Sequence, residues 1–268
     1  MDLIFKAEDL RYKYYGRIPA LAGVSLDIPA GDRFSIIGSN GSGKSTLLQA
    51  MNGLIYPEGK LTFMGRTITE DGLREPEFLR YFRGRCGFVF QDSDVQLFSP
   101  TVMDELVFGP MQLGLAIDEA VARANDVMDL LAIRGLKDRP SYMLSGGEKK
   151  RVAIGSVLTM DPEALLLDEP TNGLDPKTQT FLIELIFNLN EAGKTIVIAT
   201  HDLSLVSELN STVAVMSEEH KVERVGTADD ILSDEEMLLR VNLTHEHMHS
   251  HGGQTHRHLH SHFLFHRH

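Results

Sequence analysis

The chain has 268 residues, 42% apolar and 24% charged, the make-up of a globular protein with enough material for a sizeable core. Its 38 acidic residues against 26 basic give a formal charge of −12, which argues against a nucleic-acid partner, because such proteins carry a basic footprint. One cysteine, Cys86, excludes an intramolecular disulfide and fits a reducing compartment.

The first residues, MDLIFKAEDL, lack the basic-then-apolar order of a signal peptide, so none is expected. No apolar run approaches the roughly 18 residues needed to span a bilayer, so any membrane role is expected to run through partners. Leu3 to Phe5, Leu10 to Tyr14 and Val24 to Ile28 alternate as short strands. Phe34 to Ile37 reads as a buried strand that runs into a glycine-rich loop and then a helix over Ser45 to Met51. From 93 to 157 the pattern is helical, with three- and four-residue apolar spacing over Val102 to Leu113 and Ile117 to Leu131. Ala164 to Leu167 and Thr195 to Ala199 are continuous apolar runs, suited to parallel strands covered on both faces. Lys177 to Asn190 reads as the crossover helix between them. Val213 to Met216 reads as a further strand and Asp229 to Val241 as one last acidic helix. Residues 244–268 are low in complexity and are expected to be a histidine-rich tail, disordered when metal-free.

Three motifs carry chemistry. Gly38-Ser39-Asn40-Gly41-Ser42-Gly43-Lys44-Ser45 satisfies the phosphate-loop pattern GxxxxGK[ST] in full. Glycines let backbone N–H groups converge on a phosphate at a helix N-terminus, where the dipole already favours an anion. Residues 38 to 46, Thr46 included, are therefore the expected nucleotide cradle, with Lys44 on the β and γ phosphates and the Ser45 hydroxyl on Mg²⁺. Leu165-Leu166-Leu167-Asp168-Glu169 is an apolar strand ending in two carboxylates, placed where open α/β sheets bind ligands. Asp168 is expected to hold Mg²⁺ and Glu169 to polarise the attacking water. Ser145-Gly146-Gly147, ahead of another helix start, forms a second phosphate-recognition element for which one chain has no obvious need.

These motifs, in this order, resemble those of ATP-binding subunits of ABC transporters over roughly residues 1 to 235. The likeness also takes in Gln91 in Phe90-Gln91-Asp92, Asn172-Gly173-Leu174-Asp175, and His201 in Thr200-His201-Asp202. The resemblance implies an α/β P-loop NTPase fold: a RecA-like parallel sheet core, an N-terminal antiparallel β subdomain, and an inserted α-helical signature subdomain at about 93–157, all within a domain spanning 1–243. It implies head-to-tail pairing of two subunits, with ATP on one phosphate loop capped by Ser145, Gly146 and Gly147 of the other. It implies that Tyr14 stacks on adenine, Gln91 touches Mg²⁺ or the water, Asp175 links the two sites, and His201 contacts the γ-phosphate. Lys149-Lys150 departs from the family pattern.

Val89 to Val102, with Glu105, Phe108-Gly109-Pro110 and Met51-Asn52-Gly53-Leu54, is similar to the ATPases of energy-coupling factor transporters, cobalt and nickel branch. That likeness implies a peripheral subunit on the cytoplasmic face of the membrane. Its partners would be a second copy, a transmembrane coupling subunit, docked over Gln91 to Pro110, and a substrate-binding membrane subunit. Ten of the 12 histidines lie in the tail. His245, His247, His249, His251, His256, His258, His260 and His262 recur at every second position, and neutral imidazole suits Ni²⁺ and Co²⁺. The competing readings are a vitamin importer with an incidental tail, a metal-storage or chaperone protein, and a soluble ABC protein of translation or DNA repair. The last normally carries two cassettes or a long coiled-coil insertion.

Overall fold

The computed structural model describes residues 2–251 and 254–261, with side chains described through residue 244. Its centre is a six-stranded sheet built from β3 (Arg33–Ile37), β6 (Cys86–Val89), β7 (Ala164–Asp168), β8 (Thr195–Thr200), β9 (Thr212–Met216) and β10 (Val222–Thr227). The order is β10-β9-β3-β8-β7-β6, with every pair parallel except the edge pair β9 and β10. In the register, Ile37 lies opposite Thr200 and Asp168 opposite Ala199. The carboxyl ends of β3, β7 and β8 are therefore level, and the segments leaving them start side by side.

The continuous apolar runs are explained by burial on both faces. Alternate residues enter different cores: Leu166, Val197 and Ala199 face one side, and Leu165, Leu167, Ile196 and Ile198 the other. The first core is closed by an antiparallel sheet of β1 (Leu3–Tyr14), β2 (Ile18–Pro29), β4 (Glu58–Phe63) and β5 (Arg66–Thr67), ordered β2-β1-β4-β5. The helices α1 (Lys44–Met51), α2 (Glu70–Arg74) and α3 (Pro76–Arg85) lie in or beside it. The second core joins the sheet to α4 (Val102–Gln112), α5 (Ile117–Leu130), α6 (Gly146–Leu158) and α7 (Pro176–Glu191). A smaller third core packs β9 against α8 (Leu203–Leu209), α9 (Ala228–Leu232) and α10 (Glu235–Arg240). Among the described residues, no helix is long and apolar enough to cross a membrane.

Several elements differ from their sequence reading. The short strands Leu3 to Phe5 and Leu10 to Tyr14 are one strand, β1, bent by a register shift between Ala7 and Leu10, where Asp9 sits at φ 50°. The single acidic helix read over 229 to 241 is two. Asp234 accepts from Met237 N, caps α10 and so separates it from α9. Cys86 is fully buried beside Asn52, and burial pushes its thiol up to about 12, so it is a packing residue.

The chain beyond Leu243, read as a disordered tail, has paired backbone strands β11 (Thr244–His251) and β12 (Gln254–Ser261). The period-two alternation of the histidines is a strand pattern, and the pairing of the two strands is what the sequence reading did not include.

Candidate active site

The phosphate loop joins β3 to α1 and is wedged between β2 and β9. An added Cβ on Gly43 would lie 2.2 Å from the Ala20 carbonyl oxygen, and one on Gly38 would lie 2.6 Å from that of Met216. Gly43 also sits at φ 107°, so it caps α1 in a conformation that side chains resist. Lys44 Nζ reaches back into the loop, donating to Gly38 O at 2.8 Å and Ser39 O at 3.1 Å. Burial holds this ammonium below the usual lysine range, opposed by Glu169 and Asp168. The hydroxyls of Ser39 and Ser42 are buried and lack a hydrogen-bond partner among the described residues. A buried orphaned donor is costly, and an anion in the loop would satisfy both.

Ser45 Oγ donates to Asp168 Oδ1 at 3.0 Å, and burial raises the Asp168 carboxyl above its ordinary value. This hydroxyl–carboxylate pair is the oxygen donor set that Mg²⁺ prefers, so Ser45 and Asp168 fit that ion. Once bound, Mg²⁺ neutralises charge on the nucleotide's phosphates. Glu169 follows Asp168 at φ 42°, a left-handed backbone that turns its side chain into the site. Its Oε1 accepts from His201 Nδ1 at 2.6 Å and its Oε2 from Thr200 Oγ1 at 3.0 Å. Lys44 Nζ lies 3.8 Å from Oε1. The carboxylate is thus braced by two donors at the head of β8 and faces the Lys44 ammonium.

A cavity of about 500 Å³ collects Tyr14, Lys44, Ser45, Gln91, Glu169 and His201. The expected catalytic and loop residues therefore converge. Tyr14 lines one wall, its hydroxyl within 3.2 Å of Thr46 Oγ1 and 3.3 Å of Gln49 Oε1. Sequence reasoning missed three residues here. Asn172 lines the cavity although only Asp175 of its motif was singled out. Lys150, buried on α6, donates to the carbonyls of Phe90 at 3.1 Å and Gln91 at 2.9 Å and so fixes the Gln91 backbone, whereas Lys149 pairs with Asp94. His220, at φ 62° in the β9–β10 turn, contacts Ser42 O through Nδ1 at 3.3 Å, and its own carbonyl accepts from Ala22 N at 2.9 Å. A carbonyl only accepts, so Nδ1 carries the proton. The imidazole props the phosphate loop from behind. Only spatial contact reveals these last two roles.

The remaining candidates lie elsewhere. Ser145, Gly146 and Gly147 do not line the cavity. Ser145 caps α6 in a reciprocal capping box: Ser145 N donates to Glu148 Oε2 at 2.7 Å and Glu148 N to Ser145 Oγ at 3.4 Å. Those bonds to Ser145 hold the Glu148 carboxyl below its usual range. Tyr142 and Met143, just upstream, are 76% and 61% exposed. Asp175 caps α7, accepting from Thr178 N at 3.0 Å and Thr178 Oγ1 at 2.7 Å, which depresses its carboxyl. Of the tail histidines, 245 to 251 and 256 to 260 fall on the strand backbone, whereas His262 lies outside the described residues.

A strand, a glycine cradle on a helix start, an oxygen pair for Mg²⁺ and a braced carboxylate define a phosphate-loop ATPase. The family model for ABC transporters matches residues 21–172, and the chain belongs to that family. It is an ATP-binding cassette that hydrolyses ATP to drive transport. A putative ABC transporter ATP-binding protein of Methanosarcina acetivorans is 48% identical over 94% of this chain and 93% of its own. The nickel import ATP-binding protein NikO of Rhodobacter capsulatus is 42% identical over 91% of this chain and 96% of its own, and that organism's cobalt import protein CbiO is 42% identical over 91% and 85%. The solved structure of cbiO1 from Clostridium perfringens, described as part of the transporter complex cbiONQ, superposes with a TM-score of 0.76 at 38% identity, covering 91% of this chain and 96% of that one. The mixed arrangement of an antiparallel sheet beside a parallel core is the ABC cassette fold.

Proposed function

We propose that this chain is the ATP-hydrolysing subunit of an energy-coupling factor importer for cobalt or nickel ions. Two copies pair head to tail on the cytoplasmic face of the membrane, beneath a transmembrane coupling subunit and a substrate-binding membrane subunit. One observation carries the pairing. The chain's own cavity holds the phosphate loop, Glu169 and His201 but not Ser145 to Gly147, which lie outside it at an accessible helix start. A second copy offers the missing half, and this chain carries both halves, which favours a homodimer.

The segment after Gln91 supports the membrane-facing assignment. Val95, Phe98, Phe108 and Met111 are exposed apolar side chains, with the Phe98 and Phe108 rings edge to face at 5.0 Å. Buried Glu105 accepts from Phe98 N and Ser99 N, at 3.0 and 2.8 Å, and fixes this presentation. An ordered, exposed apolar patch suits an amphipathic partner helix. The nickel and cobalt importers among the relatives, and the histidine-rich C-terminus, support the metal branch. Within that reading, Ser45, Gln91 and Asp168 attend Mg²⁺, Tyr14 stacks on adenine, and the tail histidines hold Ni²⁺ or Co²⁺.

The test is uptake of nickel, cobalt and vitamins by cells expressing the whole transporter, with wild-type or Glu169→Gln cassette. Uptake of one of the two metals, lost in the variant, is expected. Variant-sensitive uptake of a vitamin alone would overturn the metal assignment. Metal uptake untouched by the substitution would overturn the role of the cassette.

A further inference from the structure

The C-terminal ribbon, β11 and β12, follows the last helix of the cassette, α10. Its register is specific: His245 lies opposite His260, His247 opposite His258, and His249 opposite His256. Directly opposed residues occupy the same face of an antiparallel pair, and every second residue returns to it. These six histidines therefore share one face, with Glu246, Met248, Ser250, Arg257 and Leu259 on the other. Only Gly252-Gly253 separates the strands in sequence, and Gly-Gly is a dipeptide favoured by two-residue hairpin loops.

We infer that this juxtaposition is a binding site for a late first-row divalent cation, centred on the opposed pair His247 and His258. Opposed positions have Cβ atoms about 4.5–5.5 Å apart. Neighbouring pairs on one face lie about 6.6–6.8 Å apart along the strand. The donor set is all nitrogen, which favours Ni²⁺, Co²⁺, Cu²⁺ or Zn²⁺ and disfavours Mg²⁺ or Ca²⁺. A lone two-stranded ribbon is marginally stable in water, so cation binding and ribbon formation are coupled. The site thus depends on which histidines face each other and not merely on how many there are. It stands independently of the identity of the transported ion.

The experiment uses the full-length chain and NiCl₂ alone, followed by isothermal titration and far-UV circular dichroism. The doubly substituted His247→Gln/His258→Gln removes the central pair. His266→Gln/His268→Gln removes the same number of histidines beyond the ribbon. The first is expected to weaken Ni²⁺ binding by roughly tenfold or more and to abolish the metal-induced gain in extended structure. The second is expected to stay within about twofold of wild type on both readouts. Equal losses in the two variants would reduce the segment to a composition-driven chelator and overturn the paired site. Absence of Ni²⁺ binding by the wild-type chain would overturn it as well.

Discussion

Two helices of this molecule begin with glycine beside a serine, and they are treated in opposite ways. The start of α1 is enclosed: the Gly43 and Gly38 positions have backbone carbonyls within 2.6 Å of any added Cβ, and Lys44 folds back onto the loop. The start of α6 is open: nothing lies within 4 Å of a Cβ placed on Gly146, and the nearest neighbour of one on Gly147 is the Thr178 hydroxyl at 3.1 Å. Both present N–H groups and a dipole to an anion. One is preorganised as the floor of a cavity and the other is displayed at the surface. Enclosure suits a site whose chemistry depends on fixed distances, and display suits a surface that meets another molecule.

The largest effect tests the enclosed start. Gly43→Ala should abolish ATP binding and destabilise the fold by at least about 2 kcal/mol, because it combines a left-handed backbone with a backbone clash. Calorimetric melting and nucleotide titration measure both, and intact binding would show that the loop is not braced. Next comes the carboxylate. Glu169→Gln should lower turnover by about 10²- to 10⁴-fold with ATP affinity retained, measured by phosphate release and by fluorescent-nucleotide binding. Near wild-type turnover would remove Glu169 from the role of base.

The displayed start is tested by Gly146→Asp. Aspartate is favourable in a first helical turn, so melting should change by no more than about 0.5 kcal/mol. Yet the added charge should repel a partner's nucleotide and abolish ATP-dependent dimerisation of the Glu169→Gln background in sedimentation. A dimer that persisted would erase the contrast between the two helix starts. The smallest effect concerns the capping box. The Glu148 carboxyl is depressed in the folded state, so its contribution is present above the ordinary value of 4.5 and is lost as pH falls through the lowered one. Wild type should melt above Glu148→Gln at neutral pH, and the gap should close in acid. A gap that widened in acid would reverse the sign of this linkage.

Legibility in the sequence followed locality. The phosphate loop, the strand ending in Asp168-Glu169, and Ser145 to Gly147 are contiguous runs whose residue types state their chemistry, so each could be read alone. The doubly buried strands were legible because burial on two faces leaves an unbroken apolar run. Residues 58–85 were not read, because β4, α2 and α3 are short and rich in charged residues. Lys150 and His220 were illegible for another reason. Their partners lie 59 and 178 residues away, and nothing in a lysine or histidine announces a backbone carbonyl as its target. The strand pairing of the ribbon was not read, because low complexity and period-two alternation coexist in it.

Lys150 gives α6 a further property. The helix opens at Ser145, on the accessible surface, and one turn later its ammonium grips the carbonyls of Phe90 and Gln91 at the rim of the nucleotide cavity. Those grips and the exposed N-terminus belong to one rigid rod with an arm of about 6 to 8 Å at 1.5 Å per residue. The first turn of α6 is thereby joined to the Gln91 backbone through a single side chain, that of Lys150. The outward surface and the rim of the nucleotide cavity are therefore joined through one short helix, with a buried lysine as the pin between them.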